Sequence, residues 1–388
     1  MLFQYGWNSM AIKVLHIISS LGEGGVERML AAFIRGSEGR FVHRVAAIND
    51  TGIFSKGLPP DTVTALGRRC RIDAGLPFRI KRIINEFSPD IIQTYAFTGN
   101  LWGRLAAALS GRKAVTYERG TAAAVNPFFD LIDRTLSFAE TVRICNSETS
   151  RILAEKKSGI KKTTVVENFI SPGNGALYEP SSDGKIRIAV VGRLHWKRGA
   201  FLLPQIVKRA LERSVQTRFI ITGSGPLKEQ LEKDLSDEIS NGTVEFTGRV
   251  DDPETVYKRS DMGLFLNLTE SFGNALCEFL ARGIPVVAPD CDNFPFLAVN
   301  GENAVLYEKT ARTPYRFVNV CGGGIRKGLA GDPEIIAASI MKMISDLGTF
   351  RAKAGSLRSR YLKFSAERYI SEIGALYESL LFPEKSVK

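Results

Sequence analysis

From end to end the chain alternates short apolar runs with amphipathic segments. It does so twice, on either side of a turn-rich stretch, SPGNGALYEPSSD, at residues 171–183. Alternation of this kind commits a chain to parallel sheets covered by helices, because parallel strands can be joined only through long crossovers. In the first half the strand runs are 13–19, 44–49, 91–94, 114–117, 141–145 and 164–167, with a first helix at 26–35. The second half restarts at 186–191 and continues with 218–222, 244–246, 263–267 and 285–288. At 388 residues the chain is longer than one hydrophobic core usually serves. The expectation is therefore α/β: two Rossmann-like parallel-sheet domains, 1–178 and 179–363, facing across a cleft. The closing segment, 364–388, repeats apolar residues at Tyr369, Ile370, Ile373, Leu376, Tyr377 and Leu380. That helical spacing predicts a helix returning to pack on the first domain.

Composition narrows the partners. Lys and Arg outnumber Asp and Glu by 52 to 41, a formal net charge of +11, which favours phosphorylated substrates, anionic membrane or nucleic acid. Interleaved basic and aromatic motifs are lacking, so nucleic acid is not expected. Five cysteines without a C-x-x-C pair, and only three histidines, make a Cys/His metal site improbable and suit a reducing cytoplasm. No apolar run approaches a bilayer-spanning length, and the first ten residues read as neither signal peptide nor anchor. Met10 directly precedes the first strand, so residues 1–9 read as an extension.

The chemistry concentrates in LFLNLTESFGNALCEFLARGIPVVAPD, residues 264–290, which reads strand, tight turn, helix, glycine stop, strand. A helix start presents unpaired N–H groups, so the turn at Ser271-Phe272-Gly273 before Asn274 suits a phosphate. Glu270 stands at the strand end. Glu278 follows about one turn into the helix, roughly 6 Å along its axis, where its carboxylate can accept from both hydroxyls of a ribose. The bland alternative is a plain strand–helix–strand bearing two surface glutamates. A second motif, VVGRLHWKRG at 190–199, ends a strand in a glycine turn bearing Arg193, Lys197 and Arg198. Cations there suit a diphosphate and the charge that develops as it departs.

Together Glu270…Glu278 (E-x7-E), Gly192-Arg193-Leu194 with its basic sequel, GEGGVERML near the start and FTGRV at 246–250 resemble glycosyltransferase family 4 along nearly the whole chain. The resemblance implies the GT-B fold, retention of anomeric configuration and a uridine or related diphosphosugar donor held mainly by the second domain. It places Arg193 and the following base on the diphosphate and Glu278 on the ribose. Glu270, with the backbone around Ser271, Phe272, Gly273, Asn274, Ala275 and Leu276, falls on the sugar and phosphate. Arg249 and Val250 would lie beside the base, and Gly223 among the donor contacts. Gly24 and Gly25 would let the first domain's loop close on the diphosphate, with Glu118 and Arg119 near the reacting sugar. No metal and no cofactor are implied.

Three departures stand out. The family's usual lysine position before the loop glycine holds Arg198 here, with Lys197 one earlier, which leaves open which of the two reaches phosphate. The family's common histidine after the strand at 114–117 is replaced by Glu118-Arg119, so no general base is apparent. Residues 307–330, with Arg312, Tyr315, Arg316 and CGGGIRKGLA, exceed the usual connection and read no further than a flap. Asp290-Cys291-Asp292 matches a D-x-D metal pattern but follows the wrong element, and Gly223-Ser224-Gly225-Pro226 reads as a turn.

The expected function is sugar transfer from a nucleoside-diphosphate sugar to a lipopolysaccharide, capsule or lipid-linked glycan, in the cytoplasm and peripheral on the inner face of the cytoplasmic membrane. The segments 101–113, with Trp102 and Arg104, and 127–138, with Phe128, Phe129 and Phe138, are candidate docking surfaces; the alternative for each is an ordinary amphipathic helix buried on the sheet. The alternatives are a GT-B-fold sugar-nucleotide epimerase or hydrolase, which needs more acids and histidines, and a degenerate nucleotide-sugar-binding protein.

Overall fold

The computed structural model describes residues 11–22, 24–70, 72–118, 127–158, 162–171, 183–319 and 322–383. The chain forms two compact units, one running to Phe169 and resuming at Ala366, the other Ile170–Ser365. The boundary expected at 178/179 falls outside the described residues. Ile170 already packs in the second unit's core, where its N–H donates to the Phe364 carbonyl at 3.0 Å.

The first unit is a seven-stranded sheet. Its strands are β1 (Ile12–Ile18), β2 (Phe41–Ala47), β3 (Val63–Ala65), β4 (Ile91–Tyr95), β5 (Ala114–Glu118), β6 (Glu140–Cys145) and β7 (Thr163–Val165), ordered β3-β2-β1-β4-β5-β6-β7. Every neighbouring pair is parallel. Its central strands are apolar runs buried on both faces, as helix cover on both sides requires. The helix Ala366–Leu381 returns to this unit and buries Tyr369, Ile373 and Tyr377 in its core. Tyr377 donates its hydroxyl to the Gln93 side chain of β4. At Gly36, on the helix Gly25–Gly36, a Cβ would lie 2.5 Å from Ile370, so glycine sets the closeness of the two helices.

The candidate docking surface at 101–113 is corrected by the structure. Trp102 is 9% exposed within the core, and Arg104 is buried in an ion network rather than facing solvent. Arg104 meets Asp133 at 2.5 Å and Glu140 at 3.2 Å, while Arg143 meets the same two carboxylates at 2.8 and 3.0 Å. Two cations against two anions leave the network neutral, the condition under which buried charge is tolerable. In the segment 127–138, by contrast, Leu131 and Phe138 are 61% and 65% exposed; the side chains of Phe128 and Phe129 lie outside the description.

The second unit repeats the architecture with β8 (Ile186–Val191), β9 (Thr217–Thr222), β10 (Val244–Gly248), β11 (Met262–Leu264), β12 (Val286–Pro289) and β13 (Ala304–Tyr307), ordered β10-β9-β8-β11-β12-β13 and parallel throughout. The strand expected at 263–267 leaves the ladder early. The Phe265 N–H still donates to the Val287 carbonyl at 2.9 Å, but the Leu268 N–H turns to the Lys197 carbonyl at 3.1 Å. The segment read as a flap is an antiparallel hairpin, β14 (Ala311–Asn319) with β15 (Gly322–Ala330), separate from the parallel sheet.

A buried polar chain crosses the first unit's sheet. Ser37 Oγ donates to the Phe33 carbonyl at 2.5 Å, so it accepts from His43 Nε2 at 2.9 Å. His43 Nδ1 then accepts from His16 Nε2 at 3.0 Å, and His16 Nδ1 from the Tyr95 hydroxyl at 2.9 Å. One hydroxyl therefore sets both tautomers, each neutral. Burial lowers His43 to about 4. Burial, then the neighbouring His43, lowers His16 well below its ordinary value. Because the unfolded chain titrates near 6.5, stability from this pair is complete above that pH and is lost as pH falls toward 4. The slope is about 1.4 kcal/mol per pH unit for each histidine. Urea unfolding between pH 7.5 and 5 should show that loss, and His43→Leu should flatten it; an unchanged slope in the variant would count against the neutral pair.

Candidate active site

In the second unit β8 and β11 lie side by side, and the chain leaves them toward opposite edges of the sheet. Such a reversal of strand order opens a crevice at the carboxyl ends of the strands, where α/β proteins bind ligands. Both sequence motifs end there.

The loop after β8 is built by close backbone approach. The Gly192 N–H donates to the Thr222 carbonyl at 3.0 Å and the Leu194 N–H to the Ser224 carbonyl at 2.8 Å. A Cβ on Gly223 would lie 1.9 Å from the Gly192 carbonyl oxygen, so Gly223 serves the packing of this loop. Gly225 is crowded in the same way, a Cβ there lying 2.3 Å from the Leu194 carbonyl oxygen. His195 Nδ1 accepts from the Lys197 N–H at 3.1 Å and caps the short helix Trp196–Arg198. Burial, then the charges of Arg193, Lys197 and Arg198, lower the His195 pKa, so three cations converge around it. Gly199 closes the loop at φ 68°, where a Cβ would sit 2.0 Å from the Leu266 carbonyl oxygen.

Arg193 and Lys197 are exposed and make no ion pair among the described residues. Arg198 instead reaches across the crevice to Glu270. The Glu270 side chain is 12% exposed. It accepts from Asn267 Nδ2 at 2.7 Å and from the Ser271 N–H at 3.1 Å, while its own N–H donates to Asp292 at 2.8 Å. Asp292, at φ 51°, is thus a bracket for the Glu270 backbone. Among the described residues no group of three His, Cys, Asp or Glu could hold a metal.

Past the turn, Phe272 is buried against Phe364, and Asn293 donates to its carbonyl at 3.0 Å. Gly273, at φ 103°, starts the helix Asn274–Leu280 with its α-carbon against Phe294. Asn274 and Ala275 are half-buried, whereas Leu276 is a core residue whose side chain is closed to any ligand. Glu278 is only 4% exposed and accepts from the Tyr257 hydroxyl at 2.6 Å. Tyr257 is itself wedged between Phe279 and the Arg282 guanidinium, 4.3 Å above its ring. Neither glutamate is the surface residue that the bland reading required.

Arg249 is exposed and Val250 half-buried just past β10, next along the same sheet edge. Gly24, Gly25 and Glu118 belong to the first unit, at the start of the helix Gly25–Gly36 and the end of β5. Arg119 lies outside the described residues. Tyr257, Asn267 and Asp292 escaped sequence reasoning, which discounted the D-x-D and had no periodic signal for the others.

Taken with this geometry, the comparisons define the class: the chain carries a glycosyltransferase family 4 domain and a glycosyl transferases group 1 domain, on the GT-B fold. The family's model matches residues 23–173, and the model for glycosyl transferases group 1 matches residues 185–318. Among curated relatives, the phosphatidylinositol N-acetylglucosaminyltransferase gpi3 subunit of Schizosaccharomyces pombe is 31% identical over 39% of this chain and 34% of its own. The capsular polysaccharide biosynthesis glycosyltransferase CapM of Staphylococcus aureus is 26% identical over 50% and 46%. The alignments thus span about a third to a half of these relatives. Among solved structures, Anabaena HepE in complex with UDP and glucose superposes with TM-score 0.75 at 18% identity, over 95% of this chain and 100% of that one. The lipopolysaccharide outer core galactosyltransferase WaaB superposes at 0.67 and 17%, over 95% and 100%. At such identities the structural likeness is one of fold.

The close approach at Gly199 makes a test. Gly301 has a similar backbone, φ 81°, with nothing within 4 Å of a Cβ. Gly301→Ala should cost about 1–2 kcal/mol, the left-handed penalty alone, and Gly199→Ala clearly more, because the Leu266 carbonyl must also move. Equal losses in urea unfolding would show the contact to be soft.

Proposed function

We propose that the protein is a retaining glycosyltransferase using a nucleoside-diphosphate sugar, uridine-linked, and a lipid-linked or cell-envelope glycan acceptor. The observation that carries this is the convergence at one crevice of two braced carboxylates, Glu278 buried and Glu270 largely so, with two exposed cations that make no ion pair among the described residues. A carboxylate shielded from water discriminates hydroxyl groups well, because its hydrogen bonds are made at low dielectric. Glu278, its position held by Tyr257, receives the ribose diol. Glu270 receives sugar hydroxyls. Arg193 and Lys197 face the diphosphate; the engagement of Arg198 with Glu270 supports Lys197 as the phosphate-facing base.

The reaction forms a bond from the acceptor oxygen to the anomeric carbon as the bond from that carbon to the β-phosphate oxygen breaks. The departing phosphate oxygen takes the acceptor's proton on the same face, so no protein base is needed. Arg193 and Lys197 offset the charge that accumulates on the leaving diphosphate. With these cations supplied by the protein, the reaction runs without a divalent metal.

A net charge of +11, and Leu131 and Phe138 exposed near Arg134, support peripheral binding to anionic membrane, where a lipid-linked acceptor is found. No helix among the described residues is long and apolar enough to cross a membrane.

Four outcomes are expected. Glu278→Gln should weaken UDP binding by about 10- to 150-fold, the loss of a charged acceptor. Glu270→Gln should lower turnover while leaving UDP affinity nearly unchanged, and equal affinity losses in calorimetry would refute that division. Turnover of a nucleotide-sugar panel should persist in chelator; abolition, with recovery on adding magnesium or manganese, would bring a metal into the site. The protein should co-sediment with anionic but not zwitterionic vesicles, less so in salt; indifference to lipid at low ionic strength would point to a soluble acceptor.

A further inference from the structure

The loop carrying Glu270 is tied down from the far side by the end of β13. The Tyr307 hydroxyl donates to the Phe265 carbonyl at 2.8 Å, and two residues later Lys309 Nζ donates to the Leu268 carbonyl at 2.8 Å. Leu268 is therefore held through both of its backbone groups, its N–H donating to the Lys197 carbonyl of the basic loop and its C=O accepting from a lysine. Lys309 is half-buried and, like Glu270 and Asp292, lies beside the Cys291 thiol. Around this loop two carboxylates, Glu270 and Asp292, are matched by two cations, Arg198 and Lys309. Directly beyond Lys309 the chain enters β14, which runs beside the turn Trp196–Arg198.

We propose that Lys309 is a positioning residue for Glu270, holding its loop in place through the Leu268 carbonyl. The proposal rests on the donor reading above. Glu270 and Asp292 meet at this loop, with Arg198 on Glu270 and Lys309 on the Leu268 carbonyl as its two cations. Two neighbouring carboxylates without a counter-charge repel, and one of them would move or take up a proton. A lysine bonded to the loop's own backbone prevents both, without touching the donor.

The experiment compares Lys309→Met, of similar length but uncharged, with Lys309→Arg in the full chain. The readouts are UDP affinity by calorimetry, turnover of a nucleotide-sugar panel at saturation, and amide hydrogen exchange at Leu268 and Glu270. Lys309→Met should lower turnover about tenfold or more, the loss of a charge-assisted hydrogen bond. It should also speed exchange at both amides and leave UDP affinity within about twofold, below what one lost hydrogen bond would cost. Lys309→Arg should recover most of the turnover. UDP affinity falling in step with turnover would place Lys309 on the phosphate and overturn the proposal, as would unchanged exchange or a failure of arginine to rescue. If the wild-type protein turns over no nucleotide sugar, the donor reading falls by itself, and the exchange measurement still judges Lys309.

Discussion

The candidate site depends on one contact between two loops that are far apart in sequence. Gly199 lies under the Leu266 carbonyl, and the Lys197 carbonyl accepts from the Leu268 N–H, so the basic loop after β8 and the acidic loop after β11 share a backbone. A side chain at Gly199 would separate them, and Arg198 could then no longer reach Glu270. The strand order supplies the opportunity, because β8 and β11 are neighbours whose continuing chains diverge. Everything the site offers a ligand is referenced to that junction.

Charge is handled differently in the two units. In the first, Arg104, Arg143, Asp133 and Glu140 cancel one another in the interior, and the histidine chain from Ser37 to Tyr95 satisfies its polar groups with both rings neutral. These groups are spent on holding the sheet. In the second, the two site carboxylates are braced by Tyr257 on Glu278 and by Asn267 and Arg198 on Glu270. Arg193 and Lys197 are left at the surface. A site for an anionic ligand requires that asymmetry, since cations already neutralised inside the protein have little left to offer phosphate.

Much of this was legible in advance. The E-x7-E spacing and the basic loop fall at one crevice, because strand-to-helix turns in parallel sheets necessarily open on one edge. For Arg104 and Trp102 both a docking surface and a buried helix were open: helical periodicity gives a buried face but does not say what covers it, and here it is the sheet and an ion network. Asp292 was discounted as a chance D-x-D, and its bond to the Glu270 amide depends on a left-handed backbone that no local pattern announces. Lys309 carried no signal at all, being a lone lysine forty-one residues from the carbonyl it holds.

The sequence by itself determined the layers, the strands that run parallel, the return of the final helix and the residue types at the ends of β8 and β11. Those follow from periodicity and from turn chemistry, which act over a few residues. Tertiary structure alone decided the strand order, the burial of Glu278 beneath Tyr257, and the choice of Arg198 over Lys197 as the partner of Glu270. Each of these joins residues tens of positions apart, through contacts whose geometry exists only once both sheet edges have formed.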